Sequence, residues 1–190
     1  MKAPTIGAAF LLIAGLFCGG TDSPAAAETP AQPVSSAEKL AAAGYPAQAF
    51  DAITEAEMDE YVKAMPGVGQ AFKAAGYKST NTENIVADMA VTIEGMKHVP
   101  GVAAACEQAG TTWDRFRLTT YKVMSTTAAM AMGLAQSMAE GMAGDDEESR
   151  AALAEIKKAK AFYDGVPAEN QTTIVEYMEQ LEPLDYLDEE

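Results

Sequence analysis

Apolar positions recur at helical spacing along most of the chain. Met58, Tyr61, Val62 and Met65 stand at i, i+3, i+4 and i+7, one face of a helix. Thr54-x-x-Glu57 ahead of them has the spacing of a capping box, and Ser35-x-x-Glu38 ahead of Leu40 has the same. Pro66 lacks an N–H, so it reads as the first residue of a further helix that Gly76 closes. From Trp113 the pattern runs to Met142, roughly 45 Å at 1.5 Å per residue. Ile174, Val175, Met178 and Leu181 form the stripe of a last helix after Gly165 and Pro167. No stretch alternates with period two, so no strand is predicted. The expected fold is an all-α, compact bundle of about five to seven helices.

Two segments resemble each other at an offset of 34 residues. Lys63 to Gly76 (KAMPGVGQAFKAAG) recurs as Lys97 to Gly110 (KHVPGVAAACEQAG), identical at seven of 14 positions, with Glu60 and Glu94 matching upstream. A duplicated helix–Pro-Gly–helix unit, about 51–76 and 85–110, is therefore expected, followed by a long central helix at about 112–142. Tetratricopeptide repeats share the period, but their aromatic pattern is missing and two copies are too few for a solenoid. On the long helix Gly133, Ser137 and Gly141 lie four residues apart, which predicts close approach of a neighbour along that line.

The N-terminus is different in kind. Lys2, the apolar run Ile6–Cys18 and the Ala25-Ala26-Ala27 context match the three regions of a secretory signal peptide. Cleavage near Ala27 would send residues 28–190 to the periplasm or outside the cell. Cys18 also raises a lipid anchor, but Phe17 before it and Gly15 two positions earlier depart from a bacterial lipoprotein signal. Residues 28–35, with two prolines, read as a flexible linker, 36–181 as a single helical domain, and 182–190 as an acidic tail.

Charge narrows the function. With 28 Asp and Glu against 13 Lys and Arg, the net charge is −15, which excludes nucleic acid as a partner because phosphate contacts need a basic surface. Arg115, Arg117 and Lys122 argue against the long helix spanning a membrane. Acids cluster in the run 145–148, which opens a helix ending in Lys157, Lys158 and Lys160, as the helix dipole favours. Cys106, in an apolar turn, is expected to be buried as a small hydrophobe.

Candidate chemistry is sparse. His98 is the single histidine, placed at a helix end four residues after Glu94. Five methionines fall between Met124 and Met142, and thioethers suit Cu(I), so a copper site would lie among Met130, Met138, Met142 and His98. Met as pliable core filler is the plainer account. Glu57 and Glu60 share a face, but the Glu-x-x-His of a carboxylate-bridged dimetal site is missing, and no acidic cluster has EF-hand spacing. No phosphate loop or nucleophile elbow occurs. The expectation is an exported, non-enzymatic protein without a cofactor that binds a protein partner, the tail residues Leu184, Tyr186 and Leu187 being one candidate contact. A soft-metal or small-ligand carrier on the Met-rich helix is the alternative, and a carboxylate-based hydrolase the second.

Overall fold

The computed structural model describes residues 41–76, 85–142 and 147–181; the segments expected to be a signal peptide, a linker and an acidic tail, the first capping-box pattern, Asp145 and Asp146 lie outside them. The described chain is an all-α bundle of six helices: α1 (Glu55–Ala75), α2 (Ile85–Met96), α3 (Val102–Ala109), α4 (Trp113–Met142), α5 (Glu147–Lys160) and α6 (Ala168–Leu181). A 3-10 turn at Ala47–Phe50 precedes α1. No described residue is in a strand, and no described helix is long and apolar enough to cross a membrane.

Local signals set most helix ends. The Thr54 hydroxyl accepts from the Glu57 N–H while the Glu57 carboxylate accepts from the Thr54 N–H, so the capping box is closed in both directions. Left-handed glycines at Gly76 and Gly110 end α1 and α3. Glu147 and Glu148 stand in the first turn of α5 and Lys157, Lys158 and Lys160 in the last.

Pro66 corrects the reading of α1. The helix is continuous from Glu55 to Ala75 and carries Pro66 inside it, on its exposed side. Ala64 and Val68 on either side are buried, so packing holds the helix across the missing hydrogen bond. The equivalent Pro100 does break the chain: α2 ends at Met96, and Gly101 at φ 92° opens α3. A β-branched residue, Val99, precedes Pro100 where Met65 precedes Pro66, and this disfavours the helical conformation further. Gly101 also takes the left-handed conformation that a side chain would strain.

The two Pro-Gly segments pack on one another. A Cβ added at Gly67 would meet the Ala105 Cβ at 3.0 Å, and one added at Gly101 would meet the Ala71 Cβ at 3.4 Å. Gly67 and Gly101 are 34 residues apart, as are Ala71 and Ala105, so the contacts are reciprocal. Val68 with Val102 and Phe72 with Cys106 hold the same matched relation, and all four are buried in one core cluster with Met58, Tyr61 and Phe116. Cys106 is a buried free thiol whose pKa burial pushes up.

Helix α4, at 30 residues, is the longest of the described helices. It packs against the 3-10 turn and all five other helices. Tyr121, Ala128 and Met132 face a second cluster with Tyr45, Ala49, Ala90, Ile93 and Tyr163. The expected close approach along Gly133, Ser137 and Gly141 is not made among the described residues. A Cβ at either glycine would meet nothing within 4 Å, and Ser137 is exposed.

The reciprocal contact can be tested through the sign of one substitution. Alanine is the better helix former by about 1 kcal/mol, but at Gly67 it collides with Ala105. Gly67→Ala is expected to lower stability by about 1 kcal/mol in the wild-type chain and raise it by a similar amount when Ala105 is Gly. Chemical denaturation of both single variants and the double variant measures this.

Candidate functional site

The four residues Asp51–Thr54, between the 3-10 turn and α1, collect a dense set of polar contacts around the buried Ile53. Each has a backbone group held by one of three side chains, which come from α6, α4 and α1. The Asn170 amide, fully buried at the start of α6, donates to the Asp51 carbonyl at 3.1 Å and accepts from the Ile53 N–H at 2.8 Å. Lys122 Nζ, on α4, donates to the Ala52 carbonyl at 3.0 Å and to Glu57 Oε1 at 2.8 Å. Glu57 Oε2 accepts from the Thr54 N–H at 2.8 Å. The Lys122 side chain is only 5% exposed.

Electrostatics follow from this geometry. Burial by itself would raise the Glu57 pKa; hydrogen bonds from Lys122 and Thr54 and the charge of Lys122 outweigh it, leaving the carboxyl below its ordinary value of 4.5. Both charged groups are committed to each other and to backbone. Their chemistry is to anchor chain.

Two further acids hold the start of α4. Arg115 reaches Glu60 at 2.9 Å, where Thr111 also donates at 2.9 Å. Arg117 reaches Glu94 at 2.6 Å, where the Tyr121 hydroxyl donates at 3.0 Å. Glu60 and Glu94 are the matched positions of the two related segments, so each segment grips the long helix by its own carboxylate. These pairs are partly exposed and contribute modestly to stability. Among the tyrosines, burial pushes Tyr61 and Tyr163 up to about 12. Burial and then the Glu94 carboxylate raise Tyr121 as well. These phenols therefore stay protonated near neutral pH.

Of the residues singled out for copper, His98, Met130 and Met138 are not brought together. His98 is exposed in the turn after α2, its N–H donating to the Gly95 carbonyl at 3.0 Å. One turn earlier on that helix, Glu94 meets Arg117, and Met130 lies 13 residues further along α4, roughly 20 Å away. Met130 is half-buried against the main core, whereas Met138 is 57% exposed. Two turns separate them, about 12 Å. Met142 ends α4, and its side chain is outside the described residues. Among the described residues no group of three or more His, Cys, Asp or Glu could hold a metal ion. Glu57 and Glu60, which share a helical face, take different partners, Lys122 and Arg115.

The polar knot was not anticipated from the sequence. Lys122 carried a signal: it is the only charged residue between Arg117 and Glu140. Asn170 carried none, since an asparagine near a helix start usually reads as a cap. No protein-family model, curated protein or solved structure matches the chain.

Because folding favours the charged form of Glu57, its stabilisation is present above pH 4.5 and is lost as the pH falls below that value. Lys122→Met leaves Glu57 and the Ala52 carbonyl without their partner, with an expected loss of about 3 kcal/mol at neutral pH. It should also flatten the acid-side decline. Denaturant titrations at neutral pH and near pH 3.5 check both; an unchanged acid slope would contradict this role for the pair.

Proposed function

We propose that the chain is an exported, non-enzymatic helical protein that works by docking a protein partner on the outer half of α4. The observation that carries this reading is a core stripe that outruns its cover. Phe116, Val123 and Met130 occupy one face of α4 and pack into the main core. One and two turns beyond Met130, Leu134 and Met138 continue that face, and they are 54% and 57% exposed. Gly133 and Gly141 leave open space beside them.

A face of this composition favours an apolar, uncharged partner surface. Residues 123–139 carry no charge, in a chain whose net charge is −15. Small residues between Leu134 and Met138 would let a partner backbone approach closely. Export rests on the pattern of residues 1–27. The two related Pro-Gly segments, which we read as copies of one unit, would serve as the clamp that holds the base of α4.

The other readings have less support. Met130 and Met138 are too far apart along the helix to share one ion. The carboxylates Glu57, Glu60 and Glu94 are each paired with Lys or Arg, which does not suit an all-carboxylate hydrolase.

A photo-crosslinking residue at position 134, introduced in the producing cell, is expected to give a discrete adduct with one partner. The same residue at Val175, also exposed but on α6, should give none. Equal labelling from both positions, or no adduct at position 134, would refute the docking face.

A further inference from the structure

Four of the six Ser and Thr hydroxyls along α4 follow one rule. Thr119, Thr120, Thr126 and Ser137 each donate to the carbonyl four residues back, at 3.0, 2.8, 2.8 and 3.1 Å. Ser125 does not. Its Oγ is buried without a partner, in a residue of zero exposure. The Tyr45 hydroxyl is buried without a partner as well, in a residue only 4% exposed.

Both groups belong to the same surroundings. The Tyr45 ring packs on the Tyr121 ring at a centroid distance of 5.0 Å and a tilt of 59°. Ser125 stands one turn beyond Tyr121, so it shares the helix face that carries Tyr121, Ala128 and Met132 into the second cluster. Tyr163 completes that cluster, and burial, with the neighbouring Tyr163 and Tyr121 phenols adding to it, pushes the Tyr45 pKa up. An unpaired buried hydroxyl destabilises a fold, and two in one cluster would do so twice. Polar groups in such a position are ordinarily met by an internal water, which needs at least two polar partners.

We propose that Tyr45 and Ser125 form a hydration site that binds a single internal water bridging the two hydroxyls. Each hydroxyl can donate or accept, and so can water, so one molecule satisfies both. The site fastens the chain entering at residues 45–50 onto α4, just ahead of the Asp51–Thr54 segment that Lys122 and Asn170 hold.

Tyr45→Phe and Ser125→Ala each remove one hydroxyl from the full chain. With a shared water, each lowers the folding equilibrium constant about tenfold, and the two together about tenfold again rather than a hundredfold, because the first change already costs the water. Thr126→Val, whose hydroxyl has its own acceptor, should instead multiply with Tyr45→Phe. Single variants as stable as the wild type or more so would overturn the proposal, since deleting a truly orphaned hydroxyl relieves a penalty. Independent, multiplicative effects of the Tyr45 and Ser125 changes would overturn it equally. Oxygen-17 relaxation dispersion gives a readout separate from stability: the number of long-lived internal waters falls by one in each variant, and an unchanged number refutes the site.

Discussion

The structure depends on how the backbone of Asp51–Thr54 is satisfied. Ile53 is buried outside any helix, so its N–H has no ladder to join and would be costly to leave unpaired, while its exposed neighbours Asp51, Ala52 and Thr54 carry the chain past it. Here side chains supply the partners: Asn170 for Asp51 and Ile53, Lys122 for Ala52, Glu57 for Thr54. Three helices that are distant in sequence, α1, α4 and α6, are thereby tied to one short stretch of chain. Hydrophobic burial makes the bundle compact, but an apolar face alone would tolerate sliding and rotation of helices. These directional bonds set one register.

With that register set, α4 acts as the axis of the molecule. Its first half is enclosed: Arg115 and Arg117 are held by Glu60 and Glu94, Phe116 stacks on Tyr61 at 5.0 Å, and Tyr121 bonds to Glu94. The segments carrying Glu60 and Glu94 meet each other through Gly67 with Ala105 and Gly101 with Ala71. Such exchange of contacts is how an isologous interface works between subunits, here within one chain. Beyond Met132 the cover of the face that carries Leu134 and Met138 ends, while the apolar pattern does not. That mismatch between the length of the stripe and the length of its cover underlies the proposed docking face.

The legible and illegible parts of this fold differ in range. Helix existence, the Thr54–Glu57 box, the charged ends of α5 and the burial of Cys106 follow from neighbours within a few residues, and the sequence shows them. The extent of α1 does not follow locally. Pro66 ends a helix by every local rule, and only the packing of Ala64, Val68 and Gly67 against α3 carries the helix through it. The Gly133–Ser137–Gly141 line is the converse case, a close-approach pattern that no described helix uses. Polar groups buried by long-range contacts were the least visible. Asn170 and Ile53 are 117 residues apart, and nothing in either sequence neighbourhood predicts their bond.

Native-state hydrogen exchange at the Ile53 amide tests the central claim most directly. Ile53 lies in no helix, and its N–H is protected solely through Asn170 Oδ1. The account predicts exchange at Ile53 nearly as slow as at core amides of α1 such as Met58. In Asn170→Ala, Ile53 should speed up far more than Met58. Fast exchange at Ile53 in the wild-type chain, or protection that survives the loss of Asn170, would contradict it.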